Sequence, residues 1–314
     1  MNNASHIGHT GLTARQMVTT VVLCLLFLLL EQVMVGVNAM HLLCVVAFAA
    51  LFLSRPTTRR LAIALLPFIV FAVTYDWMRL YPNYMVNPID TRDIHDAELS
   101  LFGIIDEGAT VTPNEFFNRH HAPAADLLAG FFYLCWVPVP ILFGLWLWLK
   151  RDCKTYVHFS LVFLFVNWLG FCGYYLHPTA PPWYVMQFGF EPILSTPGNT
   201  AGLARFDELV GIPVFTTIYG GNANIFAAVP SLHAAYMLIA TVYAAISRQK
   251  WMMTAIFAFI TVGIWWTAIY SGHHYIIDVL LGILTAFVGI LLFEKALMRI
   301  PLFHKFIDRF ADSI

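Results

Sequence analysis

Eight stretches of this chain are apolar enough to lie in hydrocarbon, at about 17–37, 39–53, 61–80, 126–149, 157–176, 228–247, 252–270 and 275–294. A helix needs about 20 such residues to cross a bilayer, and all but the second reach or approach that length. Inside lipid every backbone polar group must find its partner within its own segment or a closed barrel. The apolar stretches are therefore predicted to be helices, and the chain an all-α integral membrane protein. Composition agrees, since 60% of the 314 residues are hydrophobic and only 11% charged, against about 25% charged in a soluble domain. A net charge of -1 gives no basis for nucleic-acid binding. Cys24, Cys44, Cys135, Cys153 and Cys172 form no C-x-x-C pair and read as small apolar packing residues. The polar stretch from Met1 to Arg15 carries no small-residue cleavage site, so the first apolar run is expected to remain as a membrane span.

Orientation follows from the cations, which favour the cytoplasmic side. With the N-terminus inside, the inner segments hold Arg15, Arg55, Arg59, Arg60, Lys150, Arg151, Lys154, Arg248, Lys250, Lys295, Arg299, Lys305 and Arg309, thirteen of the seventeen Lys and Arg residues. The outer segments keep only Arg79, Arg92, Arg119 and Arg205. Eight spans with both termini in the cytoplasm satisfy this asymmetry. The outer segment 81–125 is acidic, yet Leu99 to Ile105 and Phe116–Phe117 are apolar. It reads either as a lid along the membrane surface or as a solvated connector.

Two histidine clusters, Pro230-Ser231-Leu232-His233 and His273-His274-Tyr275-Ile276-Ile277-Asp278, stand at the outer edges of apolar stretches. Ionisable groups at membrane depth are costly and mark functional sites. His233 falls where a helix begins, and the free N–H groups and dipole there bind phosphate. A histidine so placed can exchange a proton with a phosphate oxygen. His274 and Asp278 are four residues apart, a spacing that puts both on one face of a helix. The carboxylate can then orient and polarise the ring as a nucleophile. Either cluster alone is compatible with a structural role, and His-x3-Asp alone with half a metal site. Two clusters on one face favour a joint site, and no further Glu or His stands at ligand spacing, so no metal is expected. Arg205, the single cation of the outer loop 177–227, could grip phosphate oxygens as a planar fork or pair with Asp207 or Glu208. Glu31 has no evident partner within its span, and Asp76 reads as a snorkelling group or a headgroup contact.

The motif pair resembles the type 2 phosphatidate phosphatase superfamily, whose Pro-Ser-Gly-His appears here as Pro230 to His233. Its Ser-Arg-x5-His-x3-Asp motif departs at the first two positions, now Thr267 and Ala268, and its Lys-x6-Arg-Pro motif is absent. The fungal-type inositol phosphorylceramide synthase branch is more similar. Its likeness covers roughly 170–290, through Trp266 to Asp278, Tyr174 to Tyr184, Pro197 to Asp207, and Phe226 into the Pro-Ser-Leu-His motif. The resemblance implies a six-helix catalytic core (61–314) behind an N-terminal segment of two accessory spans (1–60), and no cofactor. It implies a phospholipid donor, phosphatidylinositol, and a hydroxyl-lipid acceptor such as ceramide. His274 would be the nucleophile, Asp278 its orienting carboxylate and His233 the acid and base. Arg205, Ser231, Leu232, His273, His177 and Trp183 would bind substrate. A lipid or polyprenyl phosphate phosphatase is the alternative. The expected setting is a bacterial inner membrane with the site facing the periplasm, or a Golgi membrane with a lumenal site.

Overall fold

The computed structural model describes residues 11–220 and 224–314; most of the polar N-terminal stretch lies outside them. Helices occupy all eight predicted apolar stretches. The first hairpin is α1 (Ala14–Met34) and α2 (Ala39–Ser54), followed by α3 (Pro56–Ala64) and α4 (Leu66–Trp77), bent by 42° at a short break. The next segment carries α5 (Asp93–Phe102), a two-stranded hairpin of β1 (Ile104–Asp106) and β2 (Ala109–Val111), and α6 (Pro113–Arg119). Then come α7 (Pro123–Leu134) and α8 (Pro138–Leu149), bent by 41°, and the long α9 (Cys153–Leu176). The loop beyond holds α10 (Pro182–Phe188), α11 (Ala204–Val210) and α12 (Val214–Tyr219). The chain closes with α13 (Leu232–Ile246), α14 (Trp251–Tyr270), α15 (Ile276–Leu291) and α16 (Pro301–Ser313).

Both bends have a local cause. Pro67 sits in the first turn of α4 and Pro138 opens α8, and a proline cannot donate to the carbonyl of the turn before it. Among the described residues α1, α9, α14 and Ile276–Arg299 are long and apolar enough to cross a membrane, and each bent pair adds one more such span. α2 and α13 are shorter, at 16 and 15 residues. The sixth stretch begins its helix at Leu232 rather than near 228, because Pro230 lacks an N–H and Ser231 caps the helix by accepting the Ala234 N–H.

Helices in lipid gain little from burying apolar surface against one another, so close packing and polar contacts hold the bundle. α9, α13, α14 and α15 surround an aromatic core in which Phe159, Phe163, Tyr236 and Tyr243 are almost fully buried. Two glycines allow the closest approaches. A side chain at Gly170 would strike Leu232, and a Cβ on Gly282 would stand 2.1 Å from the Ser231 carbonyl oxygen.

The hairpin of α1 and α2 joins the core through polar groups. Glu31, fully buried, accepts the Trp77 indole N–H at 3.0 and 3.1 Å. His41 Nε2 lies 3.4 Å from Glu31 and 3.3 Å from Asp76, which also pairs with Arg79 at 3.0 Å. Glu31 thus has partners from other helices, and Asp76 is a buried linker rather than a snorkelling group or a headgroup contact.

Segment 81–125 is neither a detached lid nor a solvated connector. Asn83 donates to the Tyr174 and Phe226 carbonyls, both at 2.8 Å, and the Asp90 N–H donates to the Pro178 carbonyl at 2.8 Å. The Thr179 N–H continues to the Phe226 carbonyl at 2.9 Å. Three segments of two loops, 81–125 and 177–227, are stitched into one cap over the ends of α9, α13 and α15, while Leu101 and Ile105 remain exposed apolar side chains.

Gly282→Ala is expected to push Ser231 off α15. Overpacking of this kind costs about 1–3 kcal/mol. Because Ser231 precedes His233 by two residues, turnover should fall on the order of 10²-fold, measured against thermal unfolding in the same detergent.

Candidate active site

The two histidine clusters meet. His233 Nδ1 and His274 Nε2 are 3.0 Å apart, and with His273 they line a cavity of about 60 Å³ whose wall includes Pro181, Trp183, Asn199 and Tyr219. His233 is the second residue of α13, as its motif predicts. His274 is not on a helix. It precedes Tyr275, the N-cap of α15, and Asp278 is the third residue of that helix. The two meet because the Asp278 carboxylate folds back to accept the Tyr275 N–H at 2.9 Å, which brings Oδ2 to 3.4 Å from His274 Nδ1. The His274 Nδ1 and Asp278 Oδ1 atoms are buried without a hydrogen-bond partner. The Asp278 backbone carbonyl accepts the Ser231 N–H at 3.0 Å. One residue therefore binds both clusters.

Aromatic rings fix the histidines. Tyr133 stacks on His233 with centroids 5.0 Å apart, and Trp136 covers it at 4.4 Å. The Tyr219 hydroxyl reaches His233 Nε2 at 3.4 Å. His273 bonds the Ser271 hydroxyl through Nδ1 at 2.9 Å. Burial, with the His274 ring adding to it, pushes the pKa of His273 down to about 3. His273 is therefore a neutral neighbour of the pair. The His273 and His274 N–H groups both donate to the Ala268 carbonyl. Ala268 and Thr267 are fully buried inside the bundle, so the positions of the superfamily's Ser-Arg serve packing here.

The remaining predicted residues divide. Trp183 lines the histidine cavity and is 4% exposed. Ser231 caps α13. The Leu232 side chain is buried in the core against Gly170. His177 stands apart, paired with Asp90 at 3.1 Å. Arg205 pairs with neither Asp207 nor Glu208. Its Nε donates to Asp126 at 2.7 Å, while Asp207 accepts the Phe215 and Thr216 N–H groups at the start of α12. Among the described residues only Glu31, His41 and Asp76 bring three donor atoms close enough for a metal ion. His41 Nδ1 accepts the Asn38 N–H at 3.3 Å, which leaves the proton on Nε2, between the carboxylates, where a metal would need a lone pair.

Several contributors carry no mark in the sequence. Tyr133 and Trp136 look like ordinary span residues. Asn114, fully buried, donates to the Ile269 and His274 carbonyls, both at 2.9 Å, yet its neighbourhood reads as a helix cap. Glu98, also fully buried, accepts the Ile276 and Ile277 N–H groups at 2.8 and 3.1 Å. It caps α15 beside Asp278.

Residues 105–292 match the PAP2 superfamily, and the chain belongs to that superfamily. It is 57% identical to a phosphoinositol dihydroceramide synthase of Bacteroides thetaiotaomicron over 300 residues, 96% of this chain and 98% of that protein. It is 27% identical to the inositol phosphorylceramide synthase catalytic subunit of Saccharomyces cerevisiae over 74% of this chain and 56% of the yeast protein. The corresponding subunit of Schizosaccharomyces pombe is 25% identical over 80% of this chain and 58% of its own length. No solved structure matches the chain.

Desolvation raises the Glu98 pKa to about 7, against the lowering effect of its two N–H partners. Between its ordinary value near 4.5 and about 7 the folded state binds the extra proton, so this group's contribution to stability falls as pH rises through that window. The melting temperature of Glu98→Gln should accordingly depend less on pH between 5 and 8 than that of the parent chain, measured by intrinsic fluorescence.

Proposed function

We propose that this chain is a membrane phosphotransferase that moves phosphoinositol from phosphatidylinositol to the hydroxyl of a ceramide-type lipid. One observation carries the reading: the paired nitrogens of His233 and His274, 3.0 Å apart, lie in a cavity with no Lys or Arg among its lining residues. The relatives named for phosphoinositol transfer support the same reading.

Charge selects the substrate class. A phosphomonoester carries about -1.5 to -2 near neutral pH, and a cavity without cations meets it poorly. A phosphodiester carries one negative charge, which the N-terminal turn of α13, with its dipole and N–H groups, suits better. The phosphate takes the place of the hydrogen bond between the two rings. His274 Nε2 attacks phosphorus, the bond to the diacylglycerol oxygen breaks, and a protonated His233 gives that oxygen its proton. The acceptor hydroxyl then gives its proton to His233 while its oxygen attacks phosphorus, breaking the bond to His274. Asp278 keeps the His274 proton on Nδ1 and the lone pair on Nε2, and steadies the charge that develops on the ring.

Purified protein given phosphatidylinositol and a ceramide should yield a new phosphodiester lipid and diacylglycerol. His274→Ala should abolish the covalent intermediate and turnover. His233→Ala should lose a factor on the order of 10²–10⁴, and Asp278→Asn should leave the fold intact while crippling turnover. Brisk release of phosphate from phosphatidate, with no headgroup transfer, would favour the phosphatase instead.

We infer that the histidines, segment 81–125 and loop 177–227 lie outside the cytoplasm, in the periplasm of a bacterial inner membrane; the cation asymmetry supports the side, and the bacterial relative supports the membrane. Ser195 is exposed in that loop. With the native cysteines replaced, Ser195→Cys should react with an impermeant maleimide in intact spheroplasts; labelling only after permeabilisation would reverse the orientation.

A further inference from the structure

A second cavity adjoins the histidine cavity and differs from it in character. It measures about 150 Å³ and is lined by Asn114, Asn118, Gln187, Arg205, Tyr270 and Ser271, among others. Trp183 borders both cavities, and the loop from Ser271 to His274 separates them, Ser271 and Gly272 facing one and His273 and His274 the other. At roughly 30 Å³ per water, it has room for about five waters, or for a six-membered ring bearing hydroxyls.

Two buried atoms on this wall have no partner: Asn114 Oδ1, an acceptor, and Arg205 Nη2, a donor. The Asn114 orientation is dictated, because its Nδ2 already donates to two carbonyls, so the acceptor oxygen is what it has left to offer. Arg205 is neutralised. Asp126 accepts its Nε–H at 2.7 Å and the Tyr270 hydroxyl at 2.8 Å, and His121 lies 3.6 Å from the same carboxylate. A guanidinium so paired has little net charge to give a phosphate, but it keeps N–H donors. Buried polar atoms without partners are rare, and each calls for an explanation.

A hydroxyl is both donor and acceptor, so a ligand rich in hydroxyls satisfies both orphan atoms. A choline headgroup has no O–H, and an ethanolamine ammonium has no lone pair for Arg205. We propose that this cavity seats the polyol ring of the donor headgroup, through Asn114 and Arg205 with Asn118 and Gln187 at its rim, and selects a cyclic polyol over other headgroups. The assignment rests on the headgroup-transfer reading. In that reading Arg205 recognises ring hydroxyls and is not a phosphate clamp. Asn114 is a positioning residue as well, since it fixes the His274 carbonyl while facing the ring.

The test uses the full chain in detergent, with myo-inositol 1-phosphate and glycerol 1-phosphate as soluble probes. Arg205→Lys keeps a cation against Asp126 and removes the fork; Asn118→Ala and Gln187→Ala change exposed rim positions and decide the matter if Arg205→Lys does not fold. The parent chain should bind the inositol probe more tightly than the glycerol probe by calorimetry. Each variant should weaken the inositol probe on the order of tenfold, the value of one hydrogen bond to a charged or well-placed donor, and leave the glycerol probe unchanged. KM for phosphatidylinositol should rise in step, with KM for the ceramide unaltered. Equal weakening of both probes would make the contact one to phosphate and overturn the assignment, as would variants that bind like the parent. Transfer from phosphatidylinositol that persists alongside either result leaves the proposed function standing. Selective inositol binding without any transfer would instead defeat the proposed function and keep the polyol site.

Discussion

Asp278 sits where the histidine-bearing end of the bundle is joined. Its carbonyl accepts the Ser231 N–H, so α15 carries the start of α13. Its carboxylate accepts the Tyr275 N–H and faces His274. Gly282, one turn further along α15, lets the Ser231 backbone come close enough for this arrangement. The separation of the two histidines is therefore set by backbone geometry rather than by flexible side chains. A polar residue buried at the end of an apolar helix is costly unless every atom is answered. Here Oδ2 answers the Tyr275 N–H at the start of the helix, a group that needs an acceptor in any case, while Oδ1 has no hydrogen-bond partner. Glu98 does the same from outside the core, two carboxylates serving one helix start.

The apolar runs made the helices legible, because lipid leaves the backbone few alternatives. The start of α13 was legible at Ser231, whereas the break at Pro138 lay inside a stretch read as one span, 126–149. The histidine pair was legible as residues; its geometry was not. The four-residue spacing of His274 and Asp278 suggested a shared helical face, whereas the contact arises from a cap that folds the carboxylate back. Spacing measures separation along a chain and cannot tell a helix from the turn before it. Arg205 shows a similar limit. Its nearby acidic residues in sequence were Asp207 and Glu208, but α11 lies against α7, so the carboxylate that reaches it is Asp126, 79 positions away. Asn114 and Glu98 were missed because amide and carboxylate side chains in an acidic loop look solvated until the loop is seen to pack.

The superfamily's cation positions are instructive for the same reason. Thr267 and Ala268 are fully buried where the helix supplies the carbonyl that orients the His273–His274 loop. With those cations gone, what remains around the histidines is a set of dipoles, ring faces and amides. Such a setting discriminates by shape and hydrogen bonding more than by charge, and it suits a reaction between two lipids, where water is the competitor to be kept out.

α15 is held at its far end too. Its continuation, Leu292–Ala296, is a π-helical turn that turns Glu294 toward His158 at 2.9 Å and the Tyr243 hydroxyl at 2.5 Å. A helix fastened by carboxylates at both ends can neither slide along its axis nor rotate freely. The height of the paired histidine nitrogens above the leaflet is then a fixed dimension of the protein. Two lipids that differ in backbone but share the same water–hydrocarbon boundary can reach that height by lateral diffusion alone, one after the other, without either leaving its monolayer.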